Sequence, residues 1–148
     1  MDELRRTGLA KMNEVYAWEM PDMPGEYFAL TADHLFGRIW TREGLSMRDK
    51  RLITLAVVTA LGEQSLAEIQ VNAALHNEEM TDDELREMAI FITHYVGFPR
   101  GSGFNAVVEK VIAKRKKAAA AGRSEDKQAN VEAVLGRHGG TPEASEPA

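Results

Sequence analysis

Gln70 is the residue whose position most clearly suggests chemistry. It falls within the apolar side of a helix predicted over 66–77, where unpaired amide groups would cost about 1–3 kcal/mol. Gln70 therefore either bonds to neighbouring backbone or points into a pocket, where it could bind a ligand. The apolar side consists of Leu66, Ile69, Ala73 and Ala74.

A polar stripe follows one side of the helix predicted from about Glu26 to Trp40. Helical spacing aligns an aromatic hydroxyl, an imidazole and a guanidinium along it. Such a stripe forms either a ligand site or a face turned to solvent or to another subunit. Its members are Tyr27, Thr31, His34 and Arg38.

His94 lies on a helix predicted over 82–96 that has two apolar sides. One side carries Leu85, Met88, Ala89, Ile92 and Val96, and the other carries Ile90 and Phe91 beside His94. A helix with two apolar sides in a small domain predicts that a second subunit covers one of them. His94 would then lie near an intersubunit surface, either packed with one hydrogen bond or as a proton-transfer group.

The sequence gives little support for a metal site or for thiol chemistry. Glu68, Asn72 and His76 are spaced four residues apart, which suits a solvent-facing stripe as well as a site. They offer too few ligands for a metal centre, so no metal is predicted. The chain has no cysteine, which excludes thiol catalysis, disulfides and cysteine-bound metals.

Three consecutive helices between Leu45 and Pro99 must position these residues. Ser46 predicts the start of the first helix and Gly62 its end, while Thr81 and Glu84 form a capping box before the third. The run 52–61 is interrupted only by two threonines, so we expect that helix to be buried on all sides.

The remaining elements are also predicted to be helical. A first amphipathic helix covers about 2–17, and two prolines and a glycine break the chain over 18–25. The core face of the second helix is predicted to contain Phe28, Ala32, Leu35 and Ile39. A last helix carries Phe104, Val107, Val108, Val111 and Ile112, with the basic run 114–117 at its end.

Composition fits a single all-α domain. The chain has 148 residues, 44% of them hydrophobic and 28% charged, and a net charge of -5, which argues against nucleic acid as a partner. We divide it into 1–25 (helix and proline-rich turn), 26–117 (helical domain) and 118–148 (a flexible tail in which 131–135 could dock on a partner). With no leader pattern and no run long enough for a membrane span, a cytoplasmic location is the expectation.

Four segments, in this order and spacing, resemble the carboxymuconolactone decarboxylase family. They are Ile39 to Gly62, Ala67 to Asn77, the Thr-x-x-Glu-Leu-Arg-Glu of Thr81 to Glu87, and Tyr95-Val-Gly-Phe-Pro99. The resemblance implies the all-helical alkyl hydroperoxidase D-like fold, assembled as homo-trimers or homo-hexamers. It also implies decarboxylation of 4-carboxymuconolactone, a small molecule of aromatic catabolism, without a metal or organic cofactor.

The chain departs from the family pattern at the site. Decarboxylases of the family typically carry histidine at the position of Gln70, and the peroxidase branch carries cysteines where this chain has Glu63 and Leu66. Glutamine donates hydrogen bonds but does not titrate near neutral pH. Thiol peroxidase activity is therefore excluded, whereas a lyase would have to draw its proton from another residue.

The leading hypothesis is a cofactor-free lyase or isomerase acting on a small carboxylated or lactone substrate. Gln70 would donate to the developing oxyanion, and His94 or His34 would transfer the proton. Arg51 or Arg38 would anchor the carboxylate, and the predicted substrate-binding set also includes Tyr27 and Trp40. The alternatives are an inactive member that binds a ligand or partner protein, and a different enzyme on the same fold.

Overall fold

The structure, a computed structural model, describes residues 1–122, and that part of the chain contains helices and turns but no strand. The predicted all-α class is confirmed. The helices are α1 (Glu3–Tyr16), α2 (Glu26–Ala29) with a π-helical continuation (Leu30–Ile39, the π segment), α3 (Met47–Leu61), α4 (Gln64–His76), α5 (Asp82–Val96) and α6 (Phe98–Ala120). No helix of this part is both long and apolar enough to span a membrane.

The buried side chains form two clusters. The larger lies between α3, α4, α5 and α6 and is built around Leu55, Val71, Leu85, Phe104 and Val108. The smaller joins α1 to the π segment through Met12, Val15, Phe28, Ala32 and Phe36. The predicted stripe of α6 is buried as expected, and α6 continues past residue 117 to Ala120 with Ala118 buried. The segment 131–135 lies outside the described residues.

The second helix differs from its predicted form because most of it is a π-helix. Its backbone bonds span five residues, as between the Trp40 amide and the Leu35 carbonyl at 2.9 Å. The wider turn brings every fourth residue to one side, so Phe36 is buried with Phe28 and Ala32. The prediction that Leu35 and Ile39 belong to the core was wrong, since both are exposed. It assumed 100° per residue, and a π-helix turns less.

Helix α3 is capped as predicted but is not buried on all sides. The Ser46 hydroxyl accepts from the Asp49 amide at 3.0 Å, and Gly62 ends the helix with a left-handed φ of 75°. Ile53, Val57 and Leu61, four residues apart, are 51–64% exposed. No helix within residues 1–122 covers this row, so the expectation of complete burial was wrong for the described part of the chain.

Helices α4 and α5 confirm part of what their patterns predicted. In α5, Leu85 and Ala89 are buried while Ile90 and Phe91 are exposed, so the helix does have two apolar sides. In α4, the prediction that Leu66 belongs to the buried side was wrong: it is exposed, and the buried side begins with Ala67. The Thr81–Glu84 capping box is present.

The side chain of Arg5 links α1 to the second helix. Its guanidinium pairs with both oxygens of Asp33, donates to Asp22 Oδ1 at 2.7 Å, and lies 5.4 Å from the Phe28 ring centroid. The hydrogen bond from Arg5 lowers the pKa of Asp33, an effect that the Arg5 charge reinforces.

We expect Asp33→Asn to lose less of its free energy of unfolding than the wild type does when the pH is lowered. Because the pKa of Asp33 is lower in the folded chain, its contribution is present above the ordinary aspartate pKa and is lost as pH falls below it. Urea unfolding from about pH 6 to about pH 3 measures this loss. Asp83→Asn serves as the control because that side chain is 92% exposed. Equal acid dependence in wild type and Asp33→Asn would contradict the prediction.

Candidate functional site

Arg51 is the centre of a buried polar cluster formed with Gln70 and Glu79. It lies in the first half of α3 and is fully buried. Its Nε donates to Glu79 Oε2 at 2.7 Å and its Nη2 to Oε1 at 3.2 Å, which is the bidentate geometry of a strong arginine–carboxylate pair. Its Nη1 donates to Gln70 Oε1. Three elements are therefore joined through one guanidinium.

The contact with Arg51 fixes the orientation of the Gln70 amide. A guanidinium can only donate hydrogen bonds, so the atom that faces it must be the carbonyl oxygen of Gln70. The amide nitrogen then points elsewhere and has no hydrogen bond within residues 1–122. Gln70 itself is 7% exposed. Since the NH2 is not among the buried side-chain polar atoms of residues 1–122 that lack a partner, it retains accessible surface and can donate to a bound molecule.

Glu79 is the member of the cluster that sequence reasoning missed. It lies in the turn between α4 and α5, directly after Glu78, whose left-handed φ of 55° is rare for a residue with a side chain. The Glu79 amide donates to the Ala74 carbonyl at 2.9 Å, and its side chain is 7% exposed. An arginine in an apolar helix predicts a buried acidic partner. The sequence contains 23 acidic residues and does not indicate which of them pairs with Arg51.

Three aromatic rings in successive contact lie beside the cluster. The Arg51 guanidinium carbon is 6.0 Å from the Trp40 ring centroid, and Trp40 stacks on Phe36 at 6.2 Å. Tyr16 meets Phe36 edge-on at 5.3 Å. Burial raises the pKa of the Tyr16 hydroxyl, and the nearby Arg51 charge partly opposes that rise. The predicted residues Arg51, Gln70 and Trp40 are therefore brought together.

An open cleft of about 470 Å³ begins at Trp40. Its walls are largely apolar and it carries two cationic side chains, Arg42 and Lys50. The Lys50 ammonium donates to the Trp40 carbonyl at 2.8 Å and also to the Arg42 carbonyl, so backbone contacts hold it at the cleft. The volume lies within the range of small-molecule sites. The other lining residues are Ile39, Gly44, Leu45, Ile53 and Thr54.

The other predicted site residues lie on the surface of the single chain. Tyr27 is 84% exposed, and His34 and Arg38 are exposed on the π segment. His94 is exposed on α5, where its Nδ1 lies 2.7 Å from the Ile90 carbonyl oxygen. Within residues 1–122 these four are not members of the buried cluster.

Two members of the Glu68–Asn72–His76 stripe, Glu68 and Asn72, contact α6 rather than facing solvent. Asn72 is buried and accepts from Arg115 Nη1 at 3.0 Å, and Glu68 pairs with Lys110. Burial lowers the pKa of Arg115. In the described part of the chain no three acidic, histidine or cysteine residues are grouped so that they could hold a metal ion.

Comparison with known proteins identifies the family. The family model described as "Carboxymuconolactone decarboxylase family" matches residues 25–110. The chain belongs to this family. A curated relative, 4-carboxymuconolactone decarboxylase of Acinetobacter baylyi, is 32% identical over 77 residues, which cover 52% of this chain and 57% of the relative. The chain thus aligns with little more than half of that relative. No solved structure matches significantly.

The carboxymuconolactone decarboxylase match has a clear structural extent. It begins at Gly25 and includes the π segment, α3, α4 and α5, so it contains the whole Arg51–Gln70–Glu79 cluster and the cleft. Helix α1 lies outside the matched range, although it packs against the π segment. The resemblance implies that histidine is the usual residue of the family at the position that Gln70 occupies. Gln70 therefore departs from the family pattern.

Proposed function

We propose that this chain is a cofactor-free carboxy-lyase acting on a small carboxylated lactone. The observation that carries the proposal is the orientation of Gln70. Arg51 holds its carbonyl oxygen, which leaves the NH2 as a fixed donor at the accessible edge of the buried cluster. Preorganised donors of this kind stabilise an oxyanion without having to reorganise as charge develops.

The proposed reaction places charge where such a donor is needed. The bond between the lactone carbon and its carboxylate breaks, carbon dioxide leaves, and the electron pair delocalises onto the lactone carbonyl oxygen. Gln70 donates to that oxygen, and a proton then adds to carbon. Arg42 and Lys50 supply positive charge for the substrate carboxylate from the cleft beside Trp40. Gln70 does not line that cleft, so the substrate must reach past the indole to the amide.

Arg51 acts here by positioning Gln70 rather than by anchoring substrate. Its charge is already matched by Glu79, and three of its N–H groups are in use. Arg38 remains a proposed second anchor at the exposed side of the π segment. Tyr27 is proposed to contribute there as well.

The proton source belongs to an assembled form of the protein. His94 lies on the same helix as the exposed Ile90, Phe91 and Tyr95, and an exposed apolar surface of this kind marks an interaction site. We propose that a homo-oligomer covers this surface, encloses His94 and lets it protonate the intermediate. His34 is the alternative donor.

The test is turnover of 4-carboxymuconolactone, measured as carbon dioxide release. Gln70→Leu should lower kcat about 100-fold, because one oxyanion donor is lost, whereas Gln70→His should retain activity. Arg42→Gln should raise KM more than it lowers kcat. Asn105→Leu, the same kind of change at an exposed amide of α6, is the control. Equal kcat in Gln70→Leu and wild type would refute the role of Gln70.

An inactive ligand-binding member is the second candidate, and one observation favours it. The only strong cation of the buried cluster is already paired with Glu79, as expected of a structural group. Calorimetric titration distinguishes the two: saturable binding of the lactone by wild-type protein, with no carbon dioxide released, would support the binder.

A further inference from the structure

The cleft at Trp40 leaves large apolar side chains uncovered. Three of those that line it are 43–54% exposed, and they are Ile39, Leu45 and Ile53. Contiguous exposed apolar surface suits a chain segment as well as a small molecule. Arg42 and Lys50 make the cleft cationic, and none of its lining residues within 1–122 is acidic. A chain segment that fits this cleft therefore combines apolar side chains with a negative charge.

The segment 131–135 has this combination, and it lies beyond the described residues. Val131, Val134 and Leu135 are the only large apolar residues in 123–148. Their spacing is the one that places side chains on a single side of a helical turn. Glu132 adds a carboxylate, and the segment contains no basic residue. Its chemistry thus complements that of the cleft.

The end of α6 lies at the end of the helical bundle that carries the cleft. Arg115, near the end of α6, is close enough to Asp82 at the start of α5 for their charges to interact. Arg48, at the start of α3, pairs with Glu84 in the first turn of α5 at 3.2 Å. Lys50 of the cleft follows Arg48 by two residues. The start of α5 is therefore a common neighbour of the end of α6 and of the cleft.

The connecting chain is long enough to bring the segment to the cleft. Val131 follows Gly122 by nine residues, which span up to about 30 Å when extended. This reach exceeds the length of α3, whose 15 residues extend for about 22 Å. Because the segment belongs to the same chain, its effective concentration at the cleft is on the order of 1 mM, which favours even weak binding.

We propose that the segment 131–135 docks in the Trp40 cleft of its own chain. Its apolar side chains cover the apolar walls, and Glu132 pairs with the exposed Arg42, since the Lys50 ammonium already donates to two backbone carbonyls. A docked segment excludes any substrate from the same positions and so inhibits the site. This last consequence rests on the proposed function, whereas the docking does not.

A nitroxide label near the segment tests the docking in the full-length chain. The sequence has no cysteine, so Ala129→Cys provides a single attachment point. Docking should strongly broaden the methyl NMR signals of Leu45 and Ile53 at the cleft, and should broaden those of Leu66, at the start of α4, much less. Mixing nitroxide-labelled chains with separate methyl-labelled chains should give little broadening, because the docking occurs within one chain.

Variants of the labelled chain test the named contacts. Leu135→Ser and Glu132→Lys should each restore most of the intensity of the cleft signals. Glu143→Lys makes the same charge change outside the segment and should leave the broadening as it is. Arg42→Glu should weaken docking when made alone, and combining it with Glu132→Lys should restore docking through the reversed ion pair.

These measurements need no substrate, so they test the docking whether or not the chain releases carbon dioxide. In an active lyase, Leu135→Ser should also lower KM and leave kcat unchanged, because it removes a competitor of the substrate. The inference would be overturned by unbroadened cleft signals, by equal broadening at Leu66 and at the cleft, by unchanged broadening in Leu135→Ser, or by broadening of the same strength in the mixed sample.

Discussion

Glu79→Ala is expected to lower the free energy of unfolding by about 3–5 kcal/mol, because it leaves the Arg51 guanidinium buried without a counter-ion. Arg51 is fully buried and cannot reach water without leaving the core. The remaining bond to Gln70 supplies a neutral acceptor only. Urea unfolding of wild type and variant at neutral pH measures the difference.

Two further variants separate charge burial from the loss of a side chain. Glu109→Ala removes a glutamate that pairs with Arg86 at 2.8 Å but is 49% exposed, so it should change stability little. The double variant Arg51→Met with Glu79→Leu replaces both charges by apolar groups and should recover most of the stability lost by Glu79→Ala. A loss with Glu79→Ala no larger than with Glu109→Ala would show that Arg51 does not depend on its partner.

Gly8→Ala is expected to cost about 3 kcal/mol or more and to loosen α1. A Cβ at Gly8 would collide with the Ala32 carbonyl oxygen and lie 2.7 Å from its carbonyl carbon. Alanine would gain about 1 kcal/mol in helix propensity, but the obstructing atoms are backbone and cannot rotate away. The steric term therefore dominates.

The control for this prediction is Gly44→Ala, since a Cβ there would meet nothing within 4 Å. Urea unfolding gives the free-energy change, and amide hydrogen exchange over α1 shows where the structure opens. A Gly8→Ala variant as stable as Gly44→Ala, with α1 equally protected, would mean that the two helices move apart without cost.

Local signals in the sequence predicted much of the fold. Ser46, Thr81 and Gly62 mark helix ends through contacts within a few residues, and all three do so in the structure. The two apolar sides of α5 were predicted for the same reason, because a single helix determines them. The π segment was not predicted, since the apolar pattern was interpreted with an α-helical period of 100° per residue.

The candidate site was predictable only in part. Gln70 stood out as an amide on an apolar side, and Arg51 was selected as a substrate anchor. That Arg51 instead pairs with Glu79 depends on a turn 28 residues later, whose backbone aims the carboxylate inward. The spacing of apolar and polar residues along the sequence does not predict a pair of residues so far apart.

The π segment makes chain length itself a determinant of the site. Each of its turns holds more residues than an α-turn, so removing one residue from Leu30–Ile39 would let the backbone relax to ordinary α geometry. The missing residue and the larger turn per residue of α geometry rotate the following residues in opposite senses, so Trp40 would turn by the difference between the two. Any net rotation would move the indole from its place above the buried guanidinium, even though every side chain of the cluster had been retained.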